Sequence, residues 1–303
     1  MNEKVKLILK ALISLVILVI VVNFVGIEKL NIITEIQAEY FVFVAGFFVF
    51  SVFLVTLAIK DLLKKNEITE IFKFKAISWS TGLFLPGKIG EISFVLLLKK
   101  TGVSTKKALA IFFLDRFVSF SIIGILAVIG FFTYFEVNFD IKYFVTFVIV
   151  LISLFLIKNK IKKIKLVKKT SKLLNETKEY LKKEKNPIAI NYFFSGINFI
   201  IMFWATQLVF LSLGQKITLI DIALISSLAL IIGLIPITIN GLGVREGALV
   251  YLYSLVGIEP QYSILVALIF LVASYLVATI FLALFYNEFS FILKRKGKEN
   301  AQN

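Results

Sequence analysis

Apolar runs of about 20 residues alternate along this chain with short polar segments rich in Lys, and a run of that length suffices for an α-helix to cross the hydrocarbon core of a bilayer. Six uninterrupted runs predict full crossings, over residues 5–26, 38–59, 108–134, 141–157, 188–211 and 262–285. The pattern therefore predicts an all-α polytopic membrane protein.

Two further apolar segments, residues 76–98 and 219–257, are interrupted by residues that weaken or break helices. The residues of these breaks are Pro86, Gly87, Gly90, Asn240, Gly241, Gly243 and Gly247. Lys residues flank the first segment at both ends, whereas the second has no positive excess at either end. Each segment therefore enters and leaves on one side, which predicts two re-entrant hairpins. Irregular backbone at membrane depth is tolerated only where it is buried in protein or lines a watery cavity.

The two broken segments resemble each other at an offset of 155 residues. The identical pairs are Glu91 and Glu246, Val95 and Val250, Leu97 and Leu252, and Gly102 and Gly257. Three predicted crossings separate the hairpins, and because that number is odd, the copies would have opposite orientations. We therefore expect an inverted repeat of a hairpin and a helix, residues 76–134 and 219–285, within one integral membrane domain. Inverted repeats with broken helices are typical of transporters.

Composition supports the membrane assignment and orients the chain. Hydrophobic residues make up 59% of the sequence, the mean hydropathy is +0.94 and the formal net charge is +15. Zones assigned to one side hold 28 of the 34 Lys and Arg residues: 1–10, 60–75, 99–107, 158–186 and the tail from Glu288. Because positive residues concentrate on the cytoplasmic side, we expect a multi-pass protein of the cell membrane with both termini inside. Placed in this way, the charge indicates no nucleic-acid partner.

Residues 158–186 form the longest polar segment, and apolar residues recur within it at helical spacing, with Lys on the other faces. Such a segment is either an amphipathic helix on the anionic inner leaflet or a solvated connector that its charge keeps in the cytoplasm. The sequence favours neither interpretation over the other.

The chain contains no Cys and no His. This excludes disulfides, thiolate nucleophiles, His general bases and the usual zinc sites. There is also no G-x-x-x-x-G-K-[ST] loop for direct coupling to ATP. We therefore expect no catalytic residue, no cofactor and no metal site, and we expect that the protein is not an enzyme.

Six ionisable residues lie inside the predicted apolar segments: Lys88, Glu91, Asp115, Arg116, Arg245 and Glu246. A central Asp, Lys or Arg costs about 2.5–3.5 kcal/mol on insertion scales, so these charges must pair, reach an interface or line water. Purely structural roles are open to them. Lys88 can reach the cytoplasmic surface, and Asp115 with Arg116 can form an interfacial ion pair. Arg245 and Glu246 can lock the second hairpin to a neighbouring helix.

The functional alternative is that these six residues converge on a polar cavity and bind a substrate. Arg245 and Lys88 would then bind a phosphate-bearing headgroup, together with helix N-termini and glycine N–H groups. Glu91 and Glu246 would hold those cations in place or contact a cationic headgroup. Six such residues in two matched breaks and one adjoining helix favour this functional interpretation.

Two stretches resemble the characteristic regions of a known family: LPGKIGEISFVLLLKKTGVSTKKALAIFFLDRF, residues 85–117, and INGLGVREGALVYLYSLVGI, residues 239–258. They are similar to the lysylphosphatidylglycerol synthase/flippase transmembrane region. Positions that match the family's pattern are Pro86, Gly87, Gly90, Glu91, Asp115, Arg116, Gly241, Gly243, Arg245, Glu246 and Gly247.

This resemblance implies a flippase-like translocator that moves a phosphate-bearing lipid between leaflets. Aminoacyl-phosphatidylglycerol and a polyprenyl-phosphate sugar are the implied lipid classes. A membrane-embedded transferase or an accessory subunit acting on a lipid-phosphate sugar is the alternative, and a small-solute transporter is a third class. The sequence shows no soluble aminoacyltransferase domain, so we expect no lysyl transfer by this chain alone. A separate lipid-modifying enzyme would then be a candidate partner.

Overall fold

The computed structural model describes residues 3–25, 38–64, 66–84, 89–135, 185–235, 237–238 and 240–292. Every regular element in those ranges is helical. In chain order, helices α1 to α9 are Glu3–Val25, Ala38–Lys60, Ile68–Phe84, Ile89–Lys100, Thr105–Tyr134, Lys185–Ser212, Leu219–Ile232, Val244–Ser254 and Pro260–Leu284. A short 3-10 turn, Asp61–Leu63, follows α2.

Four of the described helices are long and apolar enough to cross a bilayer, namely Glu39–Leu63, Thr105–Tyr134, Asn186–Ser212 and Pro260–Leu284. They correspond to α2, α5, α6 and α9 and to four of the six predicted crossings. Helix α1, of 23 residues, corresponds to the predicted crossing at 5–26. The prediction of an all-α polytopic membrane protein is thus confirmed. The predicted crossing at 141–157 and the linker up to residue 184 lie outside the described residues, and residues 185–186 belong to α6.

Each broken segment forms a pair of short packed helices, α3 with α4 and α7 with α8. The longest of the four, α3, has 17 residues. A helix of that length spans about 25 Å, whereas a hydrocarbon core is about 30 Å thick. None of the four could cross the core upright by itself, which is the geometry that a hairpin within the membrane requires. Entry and exit at one membrane surface stay a prediction.

The two helix pairs open toward opposite ends of α5. Asn66, before α3, donates from Nδ2 to Thr101 Oγ1, after α4, at 3.0 Å, and α5 begins shortly after this contact. At the last turn of α5, the Tyr134 hydroxyl donates to Asp221 Oδ1 in the first turn of α7 at 2.7 Å. The first pair therefore has its open end beside the start of α5, and the second pair has its open end beside the end of α5.

A common hydrogen-bonded turn follows α4 and α8. In each turn the sixth residue donates its N–H to the first residue's carbonyl, and the pairs are Val103 to Leu98 and Ile258 to Tyr253. The fifth residues, Gly102 and Gly257, both have φ of +81°. This left-handed backbone favours Gly in the turns that end helices. The same turn also follows α6, where the Gln215 N–H donates to the Phe210 carbonyl and Gly214 has a φ of +73°. The turn is therefore a general way of ending these helices, and both the repeat and its inversion stay predictions.

Helices α2 to α5 form one half of the structure and helices α6 to α9 form the other, and the long helices of each half pack against helices of the other half. Helix α3 packs against α9, α7 packs against α5, and α2 packs against α6. One buried cluster includes Ile71, Phe94 and Ile111, and a second includes Phe210 and Tyr253. Each helix pair is therefore held between a core of its own half and a long helix of the other half. Helix α1 lies against α8 and α9.

Candidate functional site

The loop ends of the two helix pairs touch each other. Asn240, in the loop between α7 and α8, donates from Nδ2 to the carbonyl oxygens of Gly82 and Leu83 at 2.9 and 3.1 Å. These carbonyls belong to the last turn of α3, where a helix has no partners of its own for them. The Tyr275 hydroxyl of α9 lies 3.4 Å from the same Leu83 oxygen. The loop between α7 and α8 therefore supplies part of the C-terminal cap of helix α3.

Asn240 adopts a φ of +53°, which makes it the one non-Gly residue with a positive φ in the described part of the chain. Asn enters this left-handed region more readily than other residues that carry a Cβ. Gly241 and Gly243 follow with φ of +77° and +84°. The predicted break is thus a left-handed turn that aims the Asn240 amide at α3.

A first group of charged residues joins the first hairpin to α5. Lys75 Nζ lies 2.8 Å from Asp115 Oδ2, and Arg116 Nη2 lies 3.4 Å from the same oxygen. The other guanidinium nitrogen, Arg116 Nη1, lies 3.3 Å from Glu91 Oε2. These four residues, Lys75, Glu91, Asp115 and Arg116, are called here the α3–α5 charge cluster. Two cations and two anions make the cluster neutral.

Lys75 is a residue of the cluster that the sequence did not single out. It belongs to the basic zone 60–75, but only 7% of Lys75 is exposed and its ammonium is paired with Asp115. The sequence contains a signal for the burial of Lys75, because this residue lies four residues after Ile71 on α3 and residues at that spacing share a helix face. Ile71 is fully buried, whereas Lys73 faces outward.

A second ion pair occupies the first turn of α8. Arg245 donates from Nε and Nη2 to Glu246 Oε1 at 3.0 and 2.7 Å. The other carboxylate oxygen, Glu246 Oε2, accepts the Gly243 N–H at 2.6 Å. Glu246 is fully buried, and both of its carboxylate oxygens accept hydrogen bonds from residues close to it in sequence. An anion in the first turn of a helix is also favoured by the helix dipole.

Glycines permit the close backbone contacts that shape both hairpins. A Cβ on Gly90 would overlap backbone atoms of Thr81 and Gly82, so α3 and α4 touch directly. A Cβ on Gly241 would lie 2.6 Å from the Gly233 carbonyl oxygen. The Thr81 hydroxyl donates a hydrogen bond to the Gly90 carbonyl oxygen at 3.0 Å.

Two of the predicted break glycines lie inside helices. Gly90 is in the first turn of α4 and Gly247 is in the first turn of α8. A Cβ on Gly247 would meet Val21 of α1 at 3.3 Å, and one on Gly243 would meet Leu18 N at 2.9 Å. The spacing Gly-x-x-x-Gly from 243 to 247 thus seats α1 against α8, which is a common use of small residues in membrane helices.

The two arginines are the accessible charges of the site. The side chains of Arg116 and Arg245 are 35% and 34% exposed, while their carboxylate partners Asp115 and Glu246 are 2% and 0% exposed. The Glu91 side chain is intermediate, at 23%. Arg245 is held by Glu246 on one edge, through Nε and Nη2, so it can still bind phosphate with its other donors. No group of three or more metal-ligating side chains occurs in the described ranges.

Comparison with known proteins identifies the family of this chain. The model of the lysylphosphatidylglycerol synthase TM region matches residues 7–281. The chain belongs to this family. A UPF0104 membrane protein of Methanothermobacter thermautotrophicus is 33% identical over 87 residues, which are 29% of this chain and 26% of the relative. The aligned stretch is thus about a quarter of that relative's length. No solved structure matches the chain.

Of the six residues predicted to bind substrate in this family member, five are described and fall into two groups. Glu91, Asp115 and Arg116 belong to the α3–α5 charge cluster, and Arg245 and Glu246 form the pair on α8. Lys88, Pro86 and Gly87 lie outside the described residues. The Asn240 amide hydrogen-bonds the hairpin that carries the second group to the hairpin that carries the first.

Proposed function

We propose that this protein is a flippase-like lipid translocator that moves a phosphate-bearing lipid between leaflets. The proposal rests on the two partly exposed guanidiniums, that of Arg245 paired with Glu246 and that of Arg116 paired with Asp115 and Glu91. Membership of the lysylphosphatidylglycerol synthase TM region family supports a role connected with membrane lipids. Aminoacyl-phosphatidylglycerol and polyprenyl-phosphate sugars are the lipid classes that we propose as substrates.

The paired charges explain how such a site can exist at membrane depth. An unpaired Arg or Asp near the bilayer centre costs about 2.5–3.5 kcal/mol on insertion scales. The α3–α5 charge cluster and the Arg245–Glu246 pair each sum to zero charge within the described residues. A phosphate that approaches Arg116 or Arg245 therefore meets an exposed guanidinium. The free-energy cost of placing that charge in the membrane is already offset by its carboxylate partner.

In the proposed mechanism, the hairpins expose one headgroup site to each leaflet in turn. They enter the membrane from opposite sides, with both termini in the cytoplasm of a cell whose plasma membrane holds the protein. The basic segment 158–186 would then face the anionic inner leaflet. The contacts that support alternating access are the hydrogen bonds of Asn240 with Gly82 and Leu83, because they join the two hairpin ends through a single side chain. In this proposal the chain is a translocator and not an enzyme.

A leaflet-accessibility assay in reconstituted vesicles tests the proposal. Labelled phosphatidylglycerol, lysyl-phosphatidylglycerol and a polyprenyl-phosphate sugar would be compared with wild-type protein, Arg245→Ala and Glu91→Gln. We expect faster transfer of one lipid class by the wild type and loss of that acceleration in both variants, with normal insertion. Lys73→Ala is the matched control, because Lys73 is an exposed cation outside the site.

Arg245→Ala needs a companion variant, because it leaves the buried Glu246 carboxylate with the Gly243 N–H alone. Arg245→Ala/Glu246→Gln removes both charges and separates loss of the cation from loss of folding. If folded wild-type protein accelerates no lipid, translocation is refuted and the transferase or accessory role takes its place. If the variants insert normally and transport at the wild-type rate, the arginine and glutamate are structural.

A further inference from the structure

Lys75 is a buried cation for which the sequence predicted no role in the site. Its ammonium lies 2.8 Å from Asp115 Oδ2 and 4.5 Å from the centre of the Phe94 ring. Because Phe94 and Asp115 lie on α4 and α5, the lysine of α3 is held by residues of the two neighbouring helices. Only 7% of Lys75 is exposed, so it is poorly placed to meet a lipid headgroup itself.

The geometry places Lys75 in competition with Arg116 for one oxygen atom. Asp115 Oδ2 receives Lys75 Nζ at 2.8 Å and Arg116 Nη2 at the longer distance of 3.4 Å. Arg116 extends past Asp115 toward Glu91, whose Oε2 lies 3.3 Å from Nη1. The Arg116 Nε is buried without a hydrogen-bond partner. Arg116 is therefore shared between Asp115 and Glu91 at longer distances than the Lys75–Asp115 pair, and Asp115 is neutralised mainly by Lys75.

We propose that Lys75 is a positioning residue that keeps Arg116 available for an anionic headgroup. By neutralising the buried Asp115, it removes the attraction that would otherwise draw the guanidinium inward and away from its partly exposed position. This inference rests on the proposed function in one respect, namely that Arg116 contacts the lipid phosphate. It adds that the affinity for that phosphate is set by a residue that does not touch the lipid.

The expected signature is a change in affinity that a second substitution reverses. In Lys75→Met, Asp115 keeps only Arg116 as a cationic partner, so Arg116 is drawn to it. We expect the half-saturating mole fraction of anionic lipid to rise about tenfold, as follows from withdrawal of one charge-assisted contact, with a smaller change in maximal rate. Lys75→Met/Asp115→Asn removes the attracting charge as well and should recover most of the affinity. Lys75→Arg retains the cation and should remain close to the wild type.

A purely structural role for Lys75 predicts something different. If the lysine only fastened α3 to α5, its loss would lower the melting temperature and leave the half-saturating mole fraction unchanged. Lys73→Met, two residues away on the exposed side of α3, is the matched control for loss of a Lys. Lys75→Gln, which keeps a donor but no charge, serves if Lys75→Met fails to insert, and it should weaken binding for the same reason.

The experiment measures binding as well as transfer, using spin-labelled phosphatidylglycerol in vesicles that contain the full chain. Weaker binding in Lys75→Met with recovery in Lys75→Met/Asp115→Asn supports the inference, even if wild-type protein binds the lipid and fails to translocate it. In that case only the proposed translocation is refuted. Unchanged binding in Lys75→Met, or no recovery in the double variant, overturns the inference while wild-type transfer still stands. If the wild type binds no anionic lipid, both proposals are wrong.

Discussion

Gly241→Ala tests the close approach that closes the second hairpin. A Cβ at position 241 would lie 2.6 Å from the Gly233 carbonyl oxygen, whereas ordinary Cβ contacts begin at 3.4 Å. The two backbone segments would therefore have to separate by about 0.8 Å, the difference between these distances. Because both sides of the contact are backbone, no side chain can rotate away to relieve the overlap.

Two costs add at this position, and a matched variant separates them. Gly241 has a φ of +77°, and a left-handed backbone costs a residue with a Cβ about 1–2 kcal/mol. Overpacking of a tight contact costs about 1–3 kcal/mol more. Gly257 has a φ of +81°, and a Cβ at that position would meet no atom within 4 Å, so Gly257→Ala carries only the first cost.

The measurement is the apparent melting temperature of both variants in detergent. One kcal/mol shifts the melting temperature by about 2–4 °C in domains of 150–250 residues, so we expect Gly241→Ala to lie roughly 5 °C below Gly257→Ala. A Cβ on Gly233 would lie only 3.2 Å from Arg245 Cβ, so a displaced loop should disturb Arg245 and slow lipid transfer. Equal melting temperatures for the two variants would refute the close contact of Gly233 with Gly241.

Two further predictions concern the contact between the hairpins and the orientation of the chain. Asn240→Gly keeps the left-handed backbone but removes both amide bonds to α3, so we expect a loss of about 1–2 kcal/mol of stability in detergent and an altered transfer rate; unchanged stability and rate would mean that the hairpin ends do not depend on this contact. The chain has no Cys, so Lys99→Cys and Lys216→Cys each introduce a single thiol at an exposed site. An impermeant maleimide should label Lys216→Cys in intact cells and Lys99→Cys only after permeabilisation, and the reverse pattern would overturn the proposed topology.

Hydrophobic patterning was sufficient to predict the long helices because an apolar run of about 20 residues is by itself long enough to cross a bilayer as a helix. The bounds of α5, predicted as 108–134 and observed as Thr105–Tyr134, differ by three residues, and Ser104 explains the difference by capping the helix with its side chain. The breaks were predicted from Pro and Gly for a similar local reason, since these residues act on the backbone of their own segment. Glu91 and Glu246 were matched by offset, and both occupy the third position of their helices.

Pairing between distant segments was less accessible to sequence reasoning. The sequence groups Lys75 with Lys73 in one basic zone, and the packing of α3 against α4 and α5 gives the two lysines different surroundings. Asn240 was assigned to a break, but its two acceptors lie 158 and 157 residues away in the chain. Such contacts depend on which helices become neighbours, and a single sequence does not encode that in any local pattern.

The two hairpins differ in how their charges are held. Glu246 pairs with Arg245 on its own helix, so a displacement of α8 carries both charges together. Glu91, at the equivalent position of α4, pairs instead with Arg116 on α5. A displacement of α4 against α5 would therefore separate opposite charges in a medium where an unpaired charge is costly. One hairpin thus keeps its ion pair within a single helix, whereas the other is tied by its ion pair to the neighbouring long helix α5. The Asn240 amide hydrogen-bonds the first of these hairpins to the second.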